Sequence, residues 1–372
     1  DYSNYHRELD LENAISKISY EVDGVQFQRE YFTSHPDQVM VIKLKSSKEE
    51  AINCSIGFES LLKYKFDRID NALAINGYAP AHTEPIYRGD MPNAVVFDEK
   101  KGTRFTTLFK VKNKAGQVST TDSTINLSGC SEAEIYVSIV TSFNGFDKDP
   151  ASEGLDNQKI AKSNLEEAIG KNYKTIKQKH IADYQSLFNR VELSLGETTA
   201  PNLPTNDRLL RYNEGKEDKN LELLYFNFGR YLLITSSRTN EVPANLQGLW
   251  NPYIRPPWSC NYTVNINLPE IYWFDETANL SELHQPLLTF IENLAVTGEV
   301  TARTYYGVGG WDVGHNSDIW ATTNPVGDFG KGAPAWANWN MGGVWLCSHL
   351  WDHYSFTRDK EFLKNKAGQV ST

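Results

Sequence analysis

Tryptophan is absent from this 372-residue chain until Trp250, and all nine tryptophans then fall between Trp250 and Trp351. Cysteine is scarce as well. The four, Cys54, Cys130, Cys260 and Cys347, stand far apart and form no C-x-x-C pair, so neither a zinc site nor a disulfide framework is indicated. No apolar run approaches the ~20 residues that span a bilayer, and no heptad seam or low-complexity tract is present. Positive charge is in deficit: 37 Lys and Arg face 47 Asp and Glu, a formal net charge of -10, which speaks against nucleic acid or an anionic membrane as partner. The G-x-S-x-G elbow, the P-loop and the dinucleotide fingerprint are missing, so serine-hydrolase, NTPase and dehydrogenase chemistry have no support.

The apolar share of 40% and charged share of 23% are those of a globular protein, and the length allows two or three domains. Up to about residue 145 the apolar residues alternate, as in Ile18, Tyr20 and Val22, then Val25 and Phe27 after an Asp23-Gly24 turn. Val39 to Leu44, Ile52 to Phe58, Phe105 to Val111 and Ile135 to Val140 continue the pattern, which predicts an antiparallel β-sandwich. The period then changes. Leu165, Ile169, Tyr173, Ile176, Ile181, Tyr184 and Leu187 are spaced for a helical linker. Further helices are predicted from Asp218 to Ser236, from an Asn279/Glu282 capping box onward, and from Trp339 to Phe356, which together suggest an α/α toroid. Residues 112–120 read KNKAGQVST and residues 364–372 repeat them letter for letter. Solenoid repeats run ~20–50 residues and diverge, so the terminal copy is set aside from the fold reasoning. The chain opens without an initiator Met, and an upstream segment is expected.

Three clusters carry chemistry. The first runs from Asn245-Leu246-Gln247-Gly248-Leu249-Trp250 through Trp258 to Thr263-Val264-Asn265-Ile266-Asn267. Read as an extended strand, it places Thr263, Asn265 and Asn267 on one face, where two carboxamides can orient a water or a sugar hydroxyl. The competing reading has these Asn satisfying loop backbone. The second cluster, His315-Asn316-Ser317-Asp318, lacks the three convergent ligands of a metal site, so no metal is expected. The third combines Trp336, Trp339, Trp345, His349, Trp351 and His353, the two histidines reading as core residues. Indole faces stack on sugar rings, so a polar, non-ionic carbohydrate is the expected ligand. Glu241, Glu270, Asp275, Glu276, Asp312, Asp318 and Asp328 are the carboxylates nearby, and spacing chooses no acid/base pair among them.

Phe228-Gly229-Arg230-Tyr231, Ala244-Asn245-Leu246-Gln247-Gly248-Leu249-Trp250-Asn251, Tyr262 to Asn267, Tyr272-Trp273, Asn279 to Glu282, His315 to Trp320 and His349 to Tyr354 together resemble the α-L-fucosidases of glycoside hydrolase family 95. Arg7 to Leu11 and Ser34 to Val39 resemble that family's sandwich. The resemblance implies a β-sandwich over 1–150, a helical linker over 151–204, and over 205–372 the first part of an (α/α)6 barrel, truncated here. It implies an inverting, exo-acting hydrolase without metal or cofactor, secreted or periplasmic. The substrates implied are plant or host glycans ending in L-fucose or L-galactose. Asn265 and Asn267 match the family's water-holding pair, while its general-acid Glu and assisting Asp belong to segments beyond Thr372. Trp250, Trp258, Thr263, His315, Asn316, Asp318 and Trp345 are the substrate-binding expectations. Leu268 to Ile271 and Phe274-Asp275 depart from the family's run around Tyr-Trp. Thr263 stands where some members carry His beside C6, which leaves room for the hydroxymethyl of an α-L-galactoside. A polysaccharide lyase of sandwich-plus-toroid type and a non-catalytic sugar-binding protein are the alternatives.

Overall fold

A computed structural model describes residues 1–70, 72–327 and 332–370. The chain divides into two compact units, Asp1–Gln185 with Pro252–Ser259, and Ser186–Asn251 with Cys260–Thr372. Strands β1 (Ser3–Asp10), β2 (Ile15–Val22), β3 (Val25–Ser34), β4 (Val39–Ser46), β5 (Ile52–Ile56), β6 (Lys63–Ile69), β7 (Ala72–Tyr78), β8 (His82–Thr83), β9 (Val95–Val96), β10 (Arg104–Lys114), β11 (Gln117–Thr120), β12 (Ile125–Cys130) and β13 (Glu132–Thr141) build the first unit. An eight-stranded antiparallel sheet has the order β1-β2-β3-β4-β13-β10-β7-β6, and a three-stranded sheet the order β11-β12-β5. Asp23 and Gly24 both have positive φ (51° and 75°), the requirement of the two-residue turn that pairs Val22 with Val25.

Alternation sends each strand's side chains to two different partners. On one face of the large sheet, Leu73, Ile75, Phe105 and Ala133 pack against Ile52, Ile125 and Leu127 of the small sheet, closing a sandwich. On the other face, Ala72, Ala74, Leu108 and Tyr136 meet two helices, α1 (Asn157–Ile169) and α2 (Tyr173–Phe188). Ala161, Leu165 and Ala168 form the contact face of α1, three residues of one helical stripe. Small alanines on both sides bring helix and sheet together. The Lys-rich segment expected to link two domains is thus also a layer of the first one.

The second unit is helical: α3 (Thr205–Asn213), α4 (Lys219–Ser236), α5 (Asn267–Tyr272), α6 (Ser281–Thr301), α7 (Pro334–Ala337) and α8 (Gly342–Thr357), with a short strand pair β14 (Tyr262–Thr263) and β15 (Asn316–Ser317). Asp218 caps α4 by accepting from the Leu221 N–H. Leu283, Leu287, Phe290, Ile291 and Leu294 are buried along α6, as are Leu346 and Leu350 along α8. The expected capping box at Asn279 is not formed. Asn279 sits in the left-handed region (φ 55°), Ser281 donates to Glu276, and Glu282 is held by Arg190 at 2.7 and 2.8 Å. α8 begins at Gly342, three residues after Trp339; Gly342 passes close to the Val313 and Gly314 carbonyls, where a Cβ would stand 2.6 and 2.8 Å away.

The duplicated nonapeptide takes two structures. In residues 112–120 it finishes β10, crosses between the sheets at Ala115 and Gly116 (φ 56° and 65°) and becomes β11. A side chain at Gly116 would strike the Gly129 and Ser128 carbonyls at 2.3 Å, so glycine fits the crossing. Residues 364–370 are helical instead, with Ala367 and Val370 buried; Ser371 and Thr372 lie outside the described residues.

Candidate active site

β14 and β15 form the frame of the site. Their antiparallel register sets Tyr262 opposite Ser317 and Thr263 opposite Asn316. Tyr262 and Ser317 are buried; the Tyr262 hydroxyl donates to the Pro243 carbonyl (3.0 Å) and its ring packs on Phe290 (4.7 Å). Thr263 and Asn316, only partly buried, therefore share the other side, as directly opposed cross-strand residues do. Thr263 Oγ1 donates to Asn261 Oδ1 at 3.0 Å.

Beyond Thr263 the chain does not remain extended, which corrects the one-face reading of Thr263, Asn265 and Asn267. The His315 carbonyl accepts from both the Val264 and Asn265 N–H groups (2.7 and 3.4 Å), bending the backbone into a turn. Val264 is fully buried, and Asn267 opens α5, whose Pro269 sits in the first turn where no N–H is needed. Asn265 consequently lies beside His315 and Asn316, and Asn267 stands at the helix entrance, half-buried.

A tight turn completes the frame. Asn245 and Gly248 exchange backbone hydrogen bonds (3.2 and 2.8 Å), and the Leu246 N–H donates to the Asn261 carbonyl at 3.1 Å, tying this turn to the segment entering β14. Gly248 has φ 68°, and the Trp250 ring occupies the space a side chain there would need, 2.6 Å from its Cβ position. Trp250 is half-exposed. Trp258 belongs to the loop Pro252–Ser259 of the first unit, which Arg255 anchors through the Glu84, Pro85 and Gly89 carbonyls (2.8 to 3.0 Å). Trp258, Ser259 and Cys260 are three consecutive left-handed residues (φ 48°, 57° and 50°), a local strain of ~1–3 kcal/mol each.

Five of the eleven buried side-chain polar atoms that lack a partner among the described residues fall on these segments: Gln247 Oε1, Asn265 Oδ1, His315 Nδ1, Asn316 Oδ1 and Ser317 Oγ. Leaving such atoms bare costs ~1–3 kcal/mol apiece, so they mark a place made for a ligand or for water. Burial holds the His315 imidazole below its ordinary range, against a hydrogen bond to the Trp336 backbone. Its Nδ1 has no hydrogen-bond partner among the described residues. The exposed Trp336 ring stands edge-on to it at 6.0 Å. Asp318 Oδ1 is engaged in its own loop by the Trp320 N–H (3.0 Å) and by the Thr322 hydroxyl (2.8 Å). Trp345, on α8, pairs with the exposed Trp273 (6.4 Å), a residue the sequence reading left out of the site.

A second polar cluster is internally bonded except at His349 Nε2, which has no partner among the described residues. Glu276 Oε1 accepts from His284 Nδ1 (2.9 Å) and His353 Nδ1 (2.6 Å), and Glu276 Oε2 from Ser281. With Nδ1 of His284 donating, its Nε2 accepts from His349 Nδ1 (3.0 Å). Burial alone would raise the Glu276 carboxyl, but the bonds from His284, His353 and Ser281 bring it down to about 2. Burial takes His349 down to about 3 and lowers His284. The ligand atoms of Glu276, His284 and His353 lie within 4.8 Å of one another. In this arrangement they satisfy each other at hydrogen-bond distance. Neighbouring Asp275 is the opposite case: fully buried, both oxygens unpartnered among the described residues, its carboxyl pushed well up by burial and by the Glu276 charge. Asp328 lies outside the described residues.

The family model for the glycosyl hydrolase family 95 catalytic domain matches residues 172–370, more than half of the sequence. The chain belongs to that family. Residues 1–145 match the glycosyl hydrolase family 65 N-terminal domain. Alpha-L-fucosidase 2 of Arabidopsis thaliana is 36% identical over 98% of this family 95 chain, and the probable alpha-fucosidase A of Aspergillus niger is 30% identical over 98%. The chain spans 44% of the length of each of these relatives. A putative kojibiose phosphorylase from the human microbiome superposes on the whole chain with a TM-score of 0.64 at 10% identity, and the chain covers 45% of that structure. This likeness shows the fold: an antiparallel β-sandwich followed by helices of an (α/α)6 barrel.

Proposed function

We propose that this chain carries the sugar-binding half of an exo-acting, inverting glycoside hydrolase that removes terminal α-L-fucosyl or α-L-galactosyl groups from plant or host glycans, outside the cytoplasm and without metal or cofactor. The observation that carries the reading is the set of bare acceptors on Gln247, Asn265, His315 and Asn316, in a chain of family 95. A pyranose brings several O–H donors and no charge, which suits acceptors that would repel a phosphate or a uronate. The same argument weighs against a lyase.

In this reading Asn265 and Asn267 hold the attacking water. A carboxamide is too weak a base to deprotonate water unaided, so an assisting Asp is required, and a Glu must protonate the leaving oxygen. Both are expected from the part of the relatives' length that this chain does not span. Asp318 Oδ1 serves its own loop, and Asp275 and Glu276 are buried. Thr263, Asn316, Asp318 and His315 border the sugar, with Trp250 and Trp345 as stacking surfaces; the expectation for Trp258 falls on the first unit and is left out of this set. The domain division at 150 and 204 belongs to the same proposal.

Thr263 is small where a bulky ring would fill the space beside C6, so an α-L-galactoside is a substrate as well as an α-L-fucoside. Hydrolysis of the two p-nitrophenyl glycosides by the full-length protein tests this. Release of p-nitrophenol from both is expected; strict fucoside preference removes the role of Thr263, and inertness toward both removes the hydrolase.

A further inference from the structure

We infer that Gln247 is a further sugar-binding residue of this site, accepting a hydrogen bond from one ring hydroxyl through Oε1. The assignment rests on the glycosidase reading above and adds a group to it.

The backbone of Gln247 is fixed from three sides. Its N–H donates to Asn245 Oδ1 (2.9 Å), which also accepts from the Cys260 thiol (3.0 Å). The preceding Leu246 donates to Asn261, and the following Gly248 closes the turn onto Asn245. The Trp250 ring packs over Gly248 and leaves the turn no slack. Yet the side-chain carbonyl that this scaffold presents is buried and has no partner among the described residues, although the residue itself is only partly buried. A held backbone carrying a bare acceptor is pre-organised for a donor that arrives from outside.

The chemistry of the neighbours says what donor. Asn265 Oδ1 and Asn316 Oδ1 are acceptors in the same condition, and His315 Nδ1 is likewise without a partner among the described residues. Several acceptors on neutral side chains select a neutral polyhydroxylated ring. Gln247 comes from the turn that precedes β14, whereas Asn265 follows β14 and His315 and Asn316 lie at the start of β15.

Kinetics of the full-length protein on p-nitrophenyl α-L-fucoside and its 2-, 3- and 4-deoxy analogues test this. Gln247→Met keeps the volume and removes the acceptor; it should raise KM about tenfold, the value of one hydrogen bond, while kcat changes less. Gln247→Glu keeps an acceptor and should recover part of the loss. The loss should vanish on the one deoxy analogue that lacks the hydroxyl Gln247 holds. The melting temperature of Gln247→Met should stay level or rise, since a bare buried acceptor is gone. An equal loss on every analogue, or a clear drop in melting temperature, overturns the assignment in favour of a scaffold role. An active wild type with an unchanged KM in Gln247→Met also overturns it and leaves the glycosidase intact. A wild type inert toward fucoside and galactoside alike overturns both.

Discussion

The group around Glu276 and the group around Asn265 lie in one unit, and both bury polar atoms. They use them in opposite ways. Around Glu276 nearly every donor meets an acceptor: two imidazoles and a hydroxyl converge on one carboxylate, and a third imidazole backs the first. Around Asn265, strands, a turn and a helix start are hydrogen-bonded through their backbones while the side-chain acceptors are left bare. The first arrangement contributes to folding. The second withholds stability and keeps it for a ligand. Burial alone therefore does not separate the two groups; what distinguishes the Asn265 group is that several bare acceptors fall on segments joined by backbone hydrogen bonds.

The sharpest way to break this contrast is a crossed pair of substitutions in the full-length protein. Asn265→Ala, like Asn267→Ala, should lower kcat about 10²–10⁴-fold, the scale of lost activation of a nucleophile, with a modest rise in KM and little change in melting temperature. Glu276→Leu should do the reverse. It strands two buried imidazole N–H groups, so a loss of ~3–5 kcal/mol in stability is expected. Denaturant melts alongside turnover measurements read both. A stable Glu276→Leu, or an unfolded Asn265→Ala, would collapse the distinction.

A smaller effect is carried by pH. His284 and His349 are held below their ordinary values, so the unfolded chain takes up protons that the folded one refuses. Their contribution is complete above about pH 6.5 and is lost as pH falls toward the folded values, about 3 for His349. Glu276, lowered to about 2, adds stability above pH 4.5 that disappears on further acidification. Asp275 works the other way: its carboxyl is raised, so it costs stability progressively as pH rises above 3.8. Each fully shifted group changes the slope by ~1.4 kcal/mol per pH unit. Asp275→Asn should thus gain on the wild type with increasing pH, as followed by urea melts from pH 5 to 8. A constant difference across that range would show that Asp275 is ionised in the folded protein.

The strand half was readable because alternation and an Asp-Gly turn depend on local chemistry alone, and β2, β3, β4, β10 and β13 lie where the pattern puts them. The site was readable as a set of residues and misread as a shape. Thr263 to Asn267 alternates polar and apolar as a strand does, but Val264 is buried by a turn that forms on the His315 carbonyl, fifty residues away in sequence and invisible to periodicity. The Asn279 cap failed for a similar reason, since Ser281 and Glu282 found tertiary partners. KNKAGQVST makes the point without any change of sequence: one copy is strand and crossing, the other helix. Gln247 stood in the motif all along, and only its missing hydrogen bond distinguishes it from its neighbours.

The central claim is that bare amide and imidazole acceptors on Gln247, Asn265, His315 and Asn316 await a neutral sugar. Soaking crystals of the full-length protein with L-fucose tests it most directly. The account predicts a pyranose whose hydroxyls donate to Asn265 and to at least two of the other three acceptors. A sugar bound elsewhere, with those acceptors already satisfied by protein groups, would contradict it.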